Sequence, residues 1–213
     1  MKTDDLISLL STNVEPVEHR QTTWIIGIAL LASVAVDLIA VILVLGVRVG
    51  LTEIGVLTWL FVKAAFTFGI LIPASFYLFG LARPGGERRI SFILVALPFV
   101  VVILLAAVSL GLAPISHWKG MVVGNGWLEC LISIPLIAVV PFALIVWAVR
   151  QAAPTDLARA GAFVGLVAGC LSATGYALHC ADDSMPFITL WYGGTIALCT
   201  FAGWKLGPVL LRW

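Results

Sequence analysis

Four cysteines stand in this 213-residue chain, and two of them have neighbours that suit them to chemistry. Cys130 follows Gly-Asn-Gly-Trp-Leu and directly adjoins Glu129, and Cys180 sits in the run His179-Cys180-Ala181-Asp182-Asp183. The thiolate is the form of cysteine that attacks oxidants and binds soft metals. A protonated His179 would favour the Cys180 thiolate, whereas Asp182 and Asp183 would oppose it. Paired, the two thiols could record redox state, or with His179 they could hold a soft metal ion, with His117 as an extra ligand. A static structural disulfide and two inert buried thiols are the competing readings. Cys170 and Cys199 fall in the middle of apolar runs, where small packing thiols are expected.

Two charged residues also fall inside apolar runs, Asp37 and Lys63. Charge at membrane depth is costly and is usually paired or functional. They lie at similar depth on consecutive antiparallel segments, so a mutual intramembrane ion pair is the economical expectation. A proton or ion relay would need further charges, and no other run supplies one near its centre.

The elements that position these residues follow from composition. The chain is 62% hydrophobic and only 11% charged, more apolar than a soluble domain of this length can bury. About 20 apolar residues cross a bilayer, and six runs qualify: 24–46, 54–80, 90–112, 127–149, 160–178 and 186–207. Each is expected to be helical, because backbone polar groups in lipid must pair within their own segment. The fold class is therefore an all-α integral membrane bundle of six transmembrane helices. Residues 1–22 form a polar tail with a short amphipathic helix, and residues 23–213 form one membrane domain. The first run is too long for a signal-peptide core and is read as a retained span. A formal charge of +1 supports no direct contact with nucleic acid, and no nucleotide loop or catalytic triad appears.

Positive charge orients the bundle. Lys2, Arg20, Arg83, Arg88, Arg89, Arg150, Arg159, Lys205 and Arg212 lie on one side, and only Arg48 and Lys119 on the other. Both termini are expected in the cytoplasm, which places Cys130 and Cys180 near the opposite interface. Gly161, Gly165 and Gly169 form a small-xxx-small face suited to close helix packing. Pro135 and Pro141 fall within the fourth span and either kink it or leave carbonyls for neighbours to satisfy. Trp24, Trp127, Trp191, Tyr192 and Trp213 read as interfacial anchors. In the tail, Asp4 and Asp5 suit the first turn of a helix whose apolar set is Leu6, Ile7, Leu9 and Leu10. That short helix is a candidate for docking into a partner groove.

Several segments carry a wider resemblance. They include Lys2-Thr3-Asp4-Asp5-Leu6-Ile7, Trp59-Leu60-Phe61-Val62-Lys63, Ala82-Arg83-Pro84-Gly85, and Trp127 through Pro135. Ala153-Pro154-Thr155, Tyr176 through Ser184 and Leu190-Trp191-Tyr192 complete the set. Together these resemble the NrsF family of six-span bacterial membrane proteins, negative regulators of an extracytoplasmic-function sigma factor. The specific motifs are Cys-Leu-x-Ser-Ile-Pro and His-Cys-x-x-Asp-Ser. The resemblance implies an anti-sigma factor of the bacterial inner membrane, not an enzyme and without a cofactor. It also implies signalling roles for Cys130 and Cys180. Its partners would be the bilayer and a sigma factor held at the cytoplasmic face, with Asp4, Asp5, Leu6, Ile7, Leu9 and Leu10 as candidate contacts. The expected trigger is oxidation of the thiol pair, or capture of a thiophilic metal, outside the cytoplasm, as in redox-stress or heavy-metal signalling. Two alternatives are a membrane thiol oxidoreductase, disfavoured by the lack of Cys-x-x-Cys, and a small ion-coupled transporter using Asp37 and Lys63.

Overall fold

The computed structural model describes residues 19–81 and 92–212, together with Thr3, and every regular element among them is helical. Helix α1 (His19–Ala40) runs on through one π-helical turn, Val41–Leu45. It stops at Gly46, whose φ of 78° lies in the left-handed region that glycine enters without steric cost. Next come α2 (Ile54–Leu81), α3 (Phe92–Leu112), the short α4 (Ile115–Val123) and α5 (Trp127–Arg150). Then follow α6 (Leu157–Tyr176) and α7 (Met185–Leu210), the latter carrying a π-helical turn at Ile188–Tyr192. Six of these segments are long and apolar enough to cross a membrane.

Local sequence explains the ends. Asp156 caps α6 by accepting a bond from the Arg159 amide at 2.9 Å, and Ser184 caps α7 through the Phe187 amide at 3.3 Å. Pro135 and Pro141 both lie inside the continuous 24-residue α5. The segment between the third and fourth spans, expected as a loop, contains α4. That helix buries none of its residues and is pinned to the end of α3 by the Trp118 indole, which donates to the Leu110 and Ala113 carbonyls.

Helix α6 is the central post, packed against α1, α2, α5 and α7. Its most apolar stretch is 72% buried inside the protein, against 17% for α3, so α3 is peripheral. Small residues make the central position possible. A Cβ on Gly161 would collide with the Gly203 carbonyl, and one on Gly165 with the Cys199 carbonyl. The reverse holds as well, since a Cβ on Gly203 would strike the Gly161 carbonyl. The glycine face of α6 thus meets a matching face on α7 made by Cys199, Gly203 and Gly207, and the two backbones touch. Likewise Gly69 of α2 admits Pro98 of α3, whose Cγ would lie 3.3 Å from an added Cβ.

Large apolar side chains elsewhere point outward, among them Leu31, Leu43, Phe61, Ile93 and Val209. That exterior suits lipid. Tyr192 departs from its expected role as an interfacial anchor: at the end of the π-helical turn, it is completely buried against the core.

Candidate functional site

The loops 46–53, 113–126 and 177–184 meet at the end of the bundle opposite His19 of α1 and Leu210 of α7. Cys130 lies in the first turn of α5, and Cys180 follows the end of α6. Both are free thiols, both are buried, and both belong to one packed cluster with Tyr176, Phe187 and Tyr192. Asp182, two residues after Cys180, accepts a bond from the Gly126 amide, one turn before Cys130, at 2.7 Å, so the segments carrying the two thiols meet. The structure therefore brings the two predicted thiols together at one end of the bundle.

The segment around Cys180 is held by charge. Lys63 reaches from α2 to donate from Nζ to the Cys180 carbonyl at 3.0 Å and to Asp183 Oδ1 at 3.0 Å. Arg48 donates from Nη1 to Asp183 Oδ2 at 2.7 Å and more weakly to the Cys180 carbonyl at 3.5 Å. Its own amide bonds the Leu178 carbonyl at 3.0 Å. The Lys63 side chain is 1% exposed, and that of Asp183 18%. This geometry corrects the expectation of an Asp37–Lys63 pair. The 177–184 segment folds back over the bundle end and delivers Asp183 to the Lys63 ammonium. Asp37 instead accepts a bond from Ser172 Oγ, at 3.3 Å from each carboxylate oxygen.

The remaining neighbours fasten the same segment to α4 and α5. Asp182 accepts bonds from the Gly126 amide at 2.7 Å and the Asn125 amide at 3.2 Å, directly before α5. A carboxylate there meets the positive end of the helix that carries Cys130. Ser184 Oγ donates to the Met121 carbonyl at 2.7 Å, and the Trp191 indole donates to the Val122 carbonyl at 2.9 Å. His117 lines a cavity of about 480 Å³ with Asp182, Asp183 and Ser184.

His179 does not join the thiols. Its Nδ1 bonds the Gly46 carbonyl at 3.0 Å, and its Nε2 lies 4.0 Å from Glu129, whose side chain is 71% exposed. Among the described residues no three His, Cys, Asp or Glu side chains are arranged to hold a metal ion. The expected Cys130–Cys180–His179 ligand set is therefore not assembled, because backbone and carboxylate partners draw the imidazole away. The tail residues Asp4, Asp5, Leu6, Ile7, Leu9 and Leu10 lie outside the described residues.

Three contributors escaped the sequence reading. Arg48 had counted only as one charge on the sparse side. Ser172 was one small residue in an apolar run. Tyr192 is completely buried, and its hydroxyl faces the Cys180 thiol. The sequence marks Tyr192 as an aromatic near a span end and as part of the Leu190-Trp191-Tyr192 segment, and the first of these signals points to the wrong role.

What this arrangement can do is couple two thiols to a charged clasp. The Cys180 carbonyl is the clasp's acceptor, so any rotation of the Cys180 backbone that brings its sulfur to another partner disturbs the bonds to Lys63 and Arg48.

Known proteins align along the whole chain. The family model described as negative regulator of sigma F matches residues 10–213. The "Anti-sigma-F factor NrsF" of Caulobacter vibrioides is 33% identical over 225 residues, covering all of both chains. The "Probable anti-sigma-F factor NrsF" of Azospira oryzae is 29% identical over 213 residues, again covering both chains in full. No solved structure matches. With the thiol motifs of α5 and of the 177–184 segment lying inside the matched region, the chain belongs to the NrsF family, the negative regulators of sigma F.

Proposed function

We propose that this protein is a membrane-bound anti-sigma factor of the bacterial inner membrane that releases an extracytoplasmic-function sigma factor when Cys130 and Cys180 are oxidised. The full-length similarity to proteins named anti-sigma-F factors supports the regulatory role. The nine-to-two division of positive residues supports termini in the cytoplasm and thiols outside it. The cytoplasmic end would then hold the sigma factor through the tail, the 82–91 segment, the loop at 151–156 and the C-terminal end.

The observation that carries the trigger is the burial of both thiols, Cys180 in the segment clasped by Lys63, Asp183 and Arg48, and Cys130 in the helix turn that Asp182 of the same segment caps. A small disulfide supplied from outside would be the oxidant. One thiolate attacks it, forming a mixed disulfide and expelling one small thiol. The second thiolate then displaces the other small thiol and closes the Cys130–Cys180 bond. Two electrons leave the protein for the oxidant, and two protons leave the cysteine thiols for the departing small thiols. Access requires the 177–184 segment to open locally. Moving a population from almost all held to almost all free needs a differential of about 5 kcal/mol between the two states. Loss of a buried ion pair together with its backbone bond is of that order.

Co-purification of the tagged protein with sigma factors, with and without a small disulfide, tests both parts. Wild type should hold a sigma factor and release it on oxidation. A Cys130→Ala, Cys180→Ala variant should hold it and fail to release it; alanine avoids burying a new hydroxyl at either position. Failure of wild type to retain any sigma factor would overturn the anti-sigma reading. Normal release by the double variant would remove the thiol trigger alone.

A further inference from the structure

With Lys63 committed to Asp183 and the Cys180 carbonyl, Asp37 is left without a cation. It is 2% exposed, and no ion pair to it forms among the described residues. A carboxylate offers about four acceptor positions, yet among the described residues only the Ser172 hydroxyl addresses this one, at 3.3 Å. Its polar neighbours are occupied elsewhere. Ser33 donates to the Ala29 carbonyl at 2.7 Å, and Thr174 bonds both Thr67 and the Cys170 carbonyl at 2.8 Å.

Asp37 also lines a cavity of about 330 Å³ between α1, α2 and α6. The rest of the lining is almost wholly apolar, including Leu60, Ala64, Phe68 and Leu171. Val34, Leu38 and Phe68 are 38%, 39% and 44% exposed on the flank of the bundle, so the cavity opens sideways, towards lipid, rather than to either end. One under-bonded carboxyl in an apolar chamber is poorly suited to a metal ion, which needs several oxygen ligands. It suits a cation that carries its own apolar shell and arrives through the membrane.

We propose that Asp37 anchors a lateral binding site for a lipid-soluble organic cation, such as a quaternary ammonium amphiphile. The carboxylate neutralises the ammonium head, Phe68 offers a ring face to it, and the alkyl tail leaves through the opening beside Val34. The site lies on helices that also meet the central post α6, and it uses neither Cys130 nor Cys180. Its existence is therefore independent of the thiol trigger.

Binding of radiolabelled dodecyltrimethylammonium to the full chain in nanodiscs tests this, with empty nanodiscs subtracting simple partition. Wild type should show a saturable component that the uncharged dodecyldimethylphosphine oxide does not displace. Asp37→Asn, which keeps an acceptor for Ser172, should weaken that component at least tenfold. Ala64→Phe, which fills the chamber and leaves the carboxyl in place, should abolish it, and this variant decides the matter if Asp37→Asn fails to fold. A wild type with no saturable component would overturn the proposal and leave Asp37 as a buried acid held by Ser172 alone. Undiminished binding in either folded variant would overturn it as well.

Discussion

The clasp over Cys180 makes an asymmetric prediction about its two ends. Asp183→Ala strands the Lys63 ammonium, which is 1% exposed and would keep the Cys180 carbonyl and the Tyr192 ring, whose centroid is 6.0 Å from Nζ. Breaking a buried ion pair from one side costs about 3–5 kcal/mol. The lower end applies here, because the Asp183 side chain is 18% exposed and already shares its charge with Arg48. Lys63→Met removes the buried charge instead. Asp183 keeps Arg48 at 2.7 Å, and the methionine fills much of the same volume, so the loss is about 1 kcal/mol, near that of one hydrogen bond. The gap of about 2 kcal/mol between the variants corresponds to roughly a 30-fold difference in local opening. The double variant leaves only Arg48 unpaired. Its side chain is 20% exposed and can reach water, so the double variant should be milder than Asp183→Ala alone. The assay is the labelling rate of Cys180 by an impermeant maleimide on the detergent-solubilised protein, with Cys130, Cys170 and Cys199 replaced by alanine. Where opening is fast and reversible, the rate follows the open population. Labelling that is at least as fast in Lys63→Met as in Asp183→Ala, or faster still in the double variant, would show that the buried charge is not what closes the segment.

Other perturbations probe the helix contacts around the site. Gly165→Ala should lower stability by about 2 kcal/mol, because its Cβ would overlap the Cys199 carbonyl and α6 and α7 would have to separate. Gly194→Ala, whose Cβ meets nothing within 4 Å, should be neutral or slightly stabilising; thermal unfolding of both variants in one detergent compares them directly, and equal midpoints would contradict the close packing. Asp182→Ala removes the acceptor for the Gly126 and Asn125 amides and should cost about 1–2 kcal/mol. The same variant should raise Cys130 labelling, and an unchanged labelling rate would mean that this cap does not hold α5 against the 177–184 segment.

Much of the framework was legible because its signals are local. Six apolar runs of sufficient length announce six helices whatever packs against them. Gly161, Gly165 and Gly169 announce a close contact by spacing alone, though not that Cys199, Gly203 and Gly207 complete it. The adjacency of His179, Cys180 and Asp183 is likewise plain in the chain. Other features depend on where segments meet. The two π-helical turns have no compositional mark, and Tyr192, at the end of the second, is buried in the core rather than set at an interface. Helix α4 begins after Pro114 without a capping side chain, so nothing local distinguished it from a loop.

The amino-acid order by itself determined which residues are costly in an apolar setting: Asp37, Lys63 and the polar run at 179–184 had to find partners or a purpose. The tertiary structure decided which partners they found. Lys63 lies at a depth that either carboxylate could have served, and periodicity along a helix cannot rank a residue 26 positions away against one 120 positions away. The return of the 177–184 segment over α2 delivers Asp183, a backbone carbonyl and Arg48 to one place, and multiple donors and acceptors satisfy a buried ammonium better than one carboxylate can. That choice leaves Asp37 facing an apolar chamber and places the Cys180 carbonyl beneath a charged clasp.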